Sequence, residues 1–270
     1  MESSNDVMRV LQDTSRTFYI PVSRLPGKLQ ETVAAAYLCM RAVDEIEDHG
    51  ALESPDKAML LRQVGLIMQS QTTINNRVLF ELEAAFKPFK NILPEVTLRV
   101  GEWACCAPNI ISPRIWDATA AMADRMAQWV ERNWEMRTEM DLDAYTYSVA
   151  GAVGLLLCDI WAWFDGSQID RNAAIHFGRG LQAVNILRNR KEDLSRQVDY
   201  YPNGWTRKQM FQYAKRNLAY AREGVQEMSR DAFKYLVEIP LLLAEATLDV
   251  LENGQEKLTR IQVLKIVRQV

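Results

Sequence analysis

The sequence contains few of the residues on which most metal, redox and nucleophilic sites depend. Its 270 residues include two histidines, His49 and His176, and four cysteines that form no C-x-x-C pair. A histidine-rich metal site is therefore excluded, and a Ser-His-Asp triad is disfavoured. The cysteines lie mostly in apolar runs, which is typical of buried, reduced thiols in a cytosolic protein rather than of a disulfide framework.

Charge of one sign and long apolar runs are also scarce. The formal net charge is −3, so no dominant basic surface predicts binding to nucleic acid. The N-terminal segment, MESSNDVMRV, is polar and unlike a signal peptide. The longest apolar run, residues 149–164, is interrupted by Asp159 and is shorter than the ~20 residues of a membrane span. We therefore expect a soluble, cytoplasmic protein.

Helical patterns cover most of the chain, whereas strand-type alternation is nearly absent. The first predicted helix, residues 5–18, ends in SRTF, and the prolines and glycine of YIPVSRLPG then turn the chain. Pro240 is predicted to begin a late helix. No linker composition marks a boundary, so the sequence predicts an all-α fold of some ten or eleven helices in one domain, residues 1–270.

The segment 181–193, LQAVNILRNRKED, predicts a helix with a polar stripe. Spacings of three, four and four residues place these side chains on one face: Gln182, Asn185, Asn189 and Asp193. Apolar residues fill much of the remaining surface, so we expect the helix to pack inside the protein. A buried polar stripe is unfavourable unless it meets metal ions, opposite charges or a polar ligand. The alternative is an exposed amphipathic face.

A second stripe with the same geometry lies upstream, at Tyr37, Arg41, Asp44 and Asp48. Two carboxylates one turn apart can share Mg²⁺ ions that keep waters and recruit phosphate oxygens. This suits a diphosphate, whose charge needs neutralising before it leaves. The alternative for this segment taken alone is a solvated acidic helix end.

The two stripes together are more specific than either, and we expect both to face one central cavity. Each contains an arginine, Arg41 or Arg188, that can grip phosphate with two hydrogen bonds. Arg190 and Lys191 either assist them or form ion pairs with neighbouring acids.

Four segments of the sequence resemble the squalene/phytoene synthase family in order and spacing: SRTF, YLCMRAVDEIED, AYTYSVAGAVG and LQAVNILRNRKEDLSRQVDYYP. They extend over residues 15–202. The resemblance implies the all-helical isoprenoid synthase fold, with a Mg²⁺–diphosphate cluster below a long hydrophobic tunnel for a prenyl chain.

The resemblance also implies roles for individual residues. The first aspartate-rich motif corresponds to Asp44 and Asp48, and the second to Asn185, Arg188, Glu192 and Asp193. The predicted metal ligands are Asp44, Asp48, Asn185, Asn189 and Asp193. The predicted diphosphate-binding residues are Ser15, Arg16, Phe18, Arg41, Gln182, Asn185 and Arg188. The predicted catalytic residues are Tyr37, Asp44, Asp48, Arg188, Asn189 and Asp193.

The small residues of AYTYSVAGAVG leave one helix face clear for a lipid chain or another backbone. The prenyl tunnel is predicted to include Tyr145, Val149, Ala150, Gly151 and Gly154. Ordinary tight helix packing is the alternative, and the two are compatible.

Two departures from the family bear on the reaction. The second motif normally reads R-D-x-x-E-D, but Asn189 supplies an amide in place of the carboxylate, and Ser148 stands where squalene synthases have tyrosine. Asn can bind Mg²⁺ through its carbonyl oxygen but adds no charge, so we expect weaker or rearranged metal binding here. Ordering two prenyl diphosphates for coupling is more demanding than ionising one.

The sequence therefore favours hydrolysis of farnesyl diphosphate to farnesol, as in the bacterial squalene-synthase-like farnesyl diphosphate phosphatases. The first alternative is head-to-head condensation of two farnesyl diphosphates through presqualene diphosphate, with NADPH needed only if squalene is the product. The second is a non-catalytic prenyl diphosphate-binding protein. Basic and apolar residues in 257–268 also allow peripheral membrane contact, against the alternative of a packed terminal helix. No obligate protein partner is inferred.

Overall fold

Helices form most of the described chain, which in this computed structural model comprises residues 2–70, 76–228 and 232–270. No strand occurs within those ranges. Fourteen α-helices follow one another: α1 (Glu2–Thr14), α2 (Arg16–Val22), α3 (Gly27–Asp48), α4 (Ser54–Gln69), α5 (Asn76–Phe86), α6 (Glu95–Leu98), α7 (Val100–Ala104), α8 (Ser112–Glu131), α9 (Glu139–Thr146), α10 (Ala152–Asp165), α11 (Arg171–Ser195), α12 (Arg207–Glu227), α13 (Ala232–Glu252) and α14 (Arg260–Val267). A 3₁₀ turn, Lys87–Phe89, follows α5, and a π-helical turn, Tyr147–Gly151, joins α9 to α10.

The first of two compact units comprises Met1–Asn133 and Ala162–Gly166. Its centre is α3, which contacts α1, α4, α6, α7 and α8. Thirteen residues of α3 are buried, most of them alanine, leucine or valine, because neighbours surround the helix on several sides. The C-terminal end of α3 is therefore held on a rigid support.

The second unit comprises Trp134–Trp161 and Ser167–Val270, and α11 is its central helix. This helix packs on α12, α13 and the π-helical turn. A Cβ atom on Gly178 would lie 2.3 Å from the Ala150 carbonyl oxygen, and one on Gly154 would lie 2.2 Å from that of Ala174. Only glycine permits such close backbone approach. Both glycines therefore serve tight helix packing, which the sequence analysis gave as the alternative to a prenyl tunnel.

The described chain has fourteen α-helices where the sequence predicts ten or eleven, partly because residues 95–104 form two short helices. Two predicted helix ends are also wrong. The first helix ends at Thr14, because the Ser15 hydroxyl accepts a hydrogen bond from Phe18 N and starts α2 as its N-cap. The segment YIPV, residues 19–22, is therefore the end of α2, and the chain turns after it. Pro240 lies inside α13 and does not begin it.

One continuous helical stretch in the described chain, Glu139–Asp165, is long and apolar enough to cross a membrane, with a mean hydropathy of 1.5 over its most apolar window. The prediction that no run reaches that length is wrong by this measure, because the helix continues through the π-helical turn. Half of that window is buried. A core helix has the same properties, so this stretch is weak support for a membrane span.

Candidate metal centre

Three carboxylates converge at the C-terminal end of α3. Ligand oxygens of Asp44, Glu47 and Asp48 all lie within 4.8 Å of one another, because residues three and four apart share a helix face. Hard divalent cations such as Mg²⁺ bind such oxygen clusters. The negative end of the helix dipole also lies here, which disfavours uncompensated carboxylates and favours a bound cation.

Glu47 is the member of this cluster that sequence reasoning left out. The signal was present, since Glu47 lies three residues after Asp44 in DEIED. The side chain is 2% exposed, whereas Asp48 is exposed and Asp44 is half-buried. The ammonium of the buried Lys57 donates to the Glu47 carbonyl oxygen at 2.7 Å and offsets part of the negative charge at this helix end.

Arg41 lies one turn before the cluster and is one of the predicted diphosphate-binding residues. Its guanidinium contacts Asp44 Oδ2 at 2.7 Å and also pairs with Glu45. Burial alone would lower the pKa of Arg41, but the charges of Asp44 and Glu45 raise it, so the side chain stays cationic. A cation held against the carboxylates in this way is placed to contact an anion bound beside them.

The predicted positions Ser15, Phe18 and Tyr37 meet on one side of α3. The Phe18 and Tyr37 rings lie 5.6 Å apart, and Ser15 caps the helix that carries Phe18. Burial raises the pKa of Tyr37, and the Ser15 hydroxyl and Arg41 oppose that rise. Tyr37 is therefore a neutral phenol at physiological pH. The side chain of Arg16, also predicted here, lies outside the described part of the structure.

The polar stripe on α11, in the second unit, is bonded mainly to its own neighbours. The Asn185 amide lies 3.4 Å from Gln182 Oε1, and Arg188 Nε donates to Asn189 Oδ1 at 3.0 Å. Arg188 is exposed and forms no ion pair with a described residue. It is therefore the cation on this helix that is available to a phosphate.

Asp193 is 5% exposed and pairs with Arg196 at 2.7 Å, while Glu192 is exposed. Asp44 is also held by a guanidinium, that of Arg41, but two further carboxylates converge with it, whereas no such group of three includes Asp193 among the described residues. The two predicted motifs therefore differ in how many carboxylate oxygens they offer together to a metal.

The remaining two cations of the second motif form ion pairs with acids. Arg190 contacts Asp199 at 2.8 Å and lies over the Tyr201 ring, 3.8 Å from its centroid. Lys191 reaches Glu256 at 3.2 Å in a pair whose side chains are both highly exposed. Of the two alternatives for these residues, the structure supports ion pairing.

The predicted tunnel segment lies around the π-helical turn. Tyr145 is 2% exposed and its ring stacks on that of Tyr200 at 4.6 Å, and Val149 is also buried. A π-helical turn adds a residue to one turn and often marks a functional site. The tunnel role of Tyr145, Val149, Ala150, Gly151 and Gly154 stays a prediction, as does the expectation that both motifs face one cavity.

Comparison with known proteins identifies the family. A model described as squalene/phytoene synthase matches residues 11–212. The chain belongs to this family. The resemblance on which the site predictions rest is thereby confirmed at the level of the family.

Curated relatives in the family include squalene synthases. The squalene synthase LSS of Botryococcus braunii is 28% identical over 196 residues, which cover 69% of this chain and 39% of that protein. The human squalene synthase is 24% identical over 274 residues, covering 92% of this chain and 63% of that protein. The chain thus spans less than two thirds of the length of either relative.

Solved structures confirm the predicted fold. TcSQS in complex with the ligand BPH1237 superposes with a TM-score of 0.81 at 21% identity, covering 99% of this chain and 86% of that one. A dehydrosqualene synthase in complex with ligand gives 0.69 at 18% identity, covering 99% and 95%. These likenesses establish the all-α isoprenoid synthase fold.

Proposed function

We propose that the protein is a Mg²⁺-dependent enzyme that ionises farnesyl diphosphate and lets water capture the prenyl cation, giving farnesol and diphosphate. The observation that carries the proposal is the convergence of three carboxylates on α3, next to Arg41. Such a cluster suits the binding of a diphosphate through divalent cations.

The residues present fit the metal. The carboxylates of Asp44, Glu47 and Asp48 offer the hard oxygen ligands that Mg²⁺ prefers. Mg²⁺ bound by a few carboxylates keeps waters and takes phosphate oxygens as its other ligands. The bound metal would neutralise charge on the departing diphosphate. Asn185, Asn189 and Asp193 remain predicted ligands on the second motif.

The chain's own side chains would bind and orient the substrate. Arg41 and Arg188 would donate hydrogen bonds to phosphate oxygens, and the neutral Tyr37 would donate to an oxygen of the leaving group. The allylic C1–O bond breaks and its electron pair leaves with diphosphate. A water oxygen then bonds to C1 and loses a proton to the released diphosphate or to solvent.

Two features of α11 favour hydrolysis over coupling. Asn189 brings no charge and its oxygen accepts from Arg188, and the Asp193 carboxylate is held by Arg196. A cluster with few free carboxylates on the second motif suits the ordering of one diphosphate better than of two.

A second candidate is condensation of two farnesyl diphosphates to presqualene diphosphate and then squalene or dehydrosqualene. Its support is the family itself, whose matched relatives are named squalene synthases, together with the fold shared with a dehydrosqualene synthase. NADPH would be required only for squalene.

Product analysis separates these functions. The protein is incubated with farnesyl diphosphate and Mg²⁺, with and without NADPH, and released diphosphate and extracted lipids are measured. We expect a C15 alcohol in an amount equal to the diphosphate released. A C30 hydrocarbon as the main lipid would contradict hydrolysis, and binding without diphosphate release would support the non-catalytic alternative.

A further inference from the structure

The helix α14 carries an exposed face that is both apolar and basic. Ile261 is 79% exposed and Leu264 is 44% exposed, although both are large aliphatic residues. Lys265 and Arg268 follow at the spacing that places all four side chains on one face. The opposite face packs on α13, where Val267 is buried. The exposed face is therefore presented on a supported helix.

The charged side chains of the segment that carries this face have one sign. Residues 257–270 contain four cations, Lys257, Arg260, Lys265 and Arg268, and no aspartate or glutamate. All four are exposed, and none forms an ion pair with a residue in the described ranges. Their charge is therefore available to an external partner.

The helix is formed before any partner binds. Thr259 and Gln262 make a reciprocal capping box, in which Thr259 N donates to Gln262 Oε1 at 2.8 Å. Such caps stabilise short helices that are marginal alone. A preformed amphipathic helix binds without the entropic penalty of folding on the surface.

We propose that α14 docks the protein on the surface of an anionic lipid bilayer. Ile261 and Leu264 insert at the boundary between headgroups and acyl chains, and the cations contact anionic headgroups. Nucleic acid would match the charge but would leave both aliphatic side chains in water. The docking itself does not depend on the proposed reaction.

Docking would also bring the second motif near the lipid. Glu256, at the start of the basic segment, contacts Lys191 on α11, in the same unit. If the proposed function holds, its substrate carries an apolar chain that partitions into bilayers, so α14 would shorten the path from lipid to α11.

Vesicle sedimentation tests the proposal without using any substrate, so its outcome is independent of the reaction. Phosphatidylcholine vesicles with and without phosphatidylserine are compared. Each removed cation is expected to lower partitioning about fivefold, so the double variant K265Q/R268Q should lose about 25-fold. The double variant K87Q/K90Q makes the same charge change at exposed lysines elsewhere and should bind within about twofold of the parent protein.

Apolar insertion is tested with a matched pair of exposed isoleucines. Ile261→Ser should lower partitioning about fivefold, whereas Ile110→Ser, at a site that is 77% exposed, should leave it unchanged. Equal binding to neutral vesicles, equal loss in K87Q/K90Q, or full binding by K265Q/R268Q would overturn the proposal. An α14-dependent dimer with no vesicle binding would overturn it in favour of a second copy as the occupant.

Discussion

The two motif-bearing helices share a polar stripe but differ in charge. Residues 41–48 of α3 contain one arginine and four carboxylates, whereas residues 188–196, the end of α11 with its C-cap Arg196, contain four cations and two carboxylates. On α3 three of the carboxylates converge. On α11 no such group of three lies among the described residues, and the buried carboxylate of Asp193 pairs with an arginine, as Asp44 also does. Equal spacing along a helix therefore does not imply equal chemistry.

This difference predicts a division of roles. The α3 cluster has the negative charge to bind metal without substrate, while α11 has the positive charge to hold an anion. Arg188 is central to the second role because Arg190, Lys191 and Arg196 each pair with a carboxylate. Substitutions on each helix separate the two roles.

Removing charge from the α3 cluster should have the largest effect. Asp44→Asn or Asp48→Asn should lower kcat/KM by about 1000-fold, equivalent to about 4 kcal/mol of lost transition-state stabilisation. Diphosphate release at saturating Mg²⁺ measures this. Glu45→Gln removes the same charge outside the cluster and should cost less than about tenfold. An equal loss in Glu45→Gln would show that general charge, and not metal binding, matters.

An added methyl group should destabilise the protein more within α11 than at the start of α3. Gly178→Ala places a Cβ against the Ala150 backbone and should lower the free energy of unfolding by about 3 kcal/mol. Gly27 has nothing within 4 Å of an added Cβ, so Gly27→Ala should change stability by less than about 1 kcal/mol. Urea denaturation followed by circular dichroism measures both. Equal stability of the two variants would contradict the close helix approach.

Arg188 and the ion-paired Arg190, both on α11, should differ in their effect on substrate binding. Arg188→Gln should raise KM about thirtyfold, because a charged hydrogen bond to phosphate is lost, roughly 2 kcal/mol. Arg190→Gln makes the same charge change but removes a contact to Asp199, and KM should stay within about threefold. The reverse order would assign the phosphate to Arg190.

Restoring the family's carboxylate at position 189 should have the smallest of these effects. Asn189→Asp should strengthen Mg²⁺ binding with substrate by about tenfold, since a charged ligand replaces an amide. C30 products should rise relative to farnesol in the lipid extract. Unchanged products with tighter metal binding would mean that the amide does not decide the outcome.

Sequence patterns predicted the helical class, since local periodicity defines it. Family motifs singled out Ser15, Phe18 and Tyr37, which lie together in the structure. Neither predicted the partners of Arg190, Lys191 and Arg196, because two of those acids lie in loops whose course depends on tertiary packing. Glu47 was left out for a different reason. Its spacing of three residues from Asp44 is visible in the sequence, but the matched family motif assigned only Asp44 and Asp48.

Mn²⁺ binding to the substrate-free protein, followed by electron paramagnetic resonance, measures which helix holds the metal before substrate binds. The parent protein is compared with Asp44→Asn and Asn189→Ala, with folding checked by circular dichroism. If α3 alone forms the metal site, Asp44→Asn should weaken Mn²⁺ binding by at least about tenfold, and Asn189→Ala should leave it unchanged. Equal weakening in both variants, or none in Asp44→Asn, would contradict the division of roles between α3 and α11.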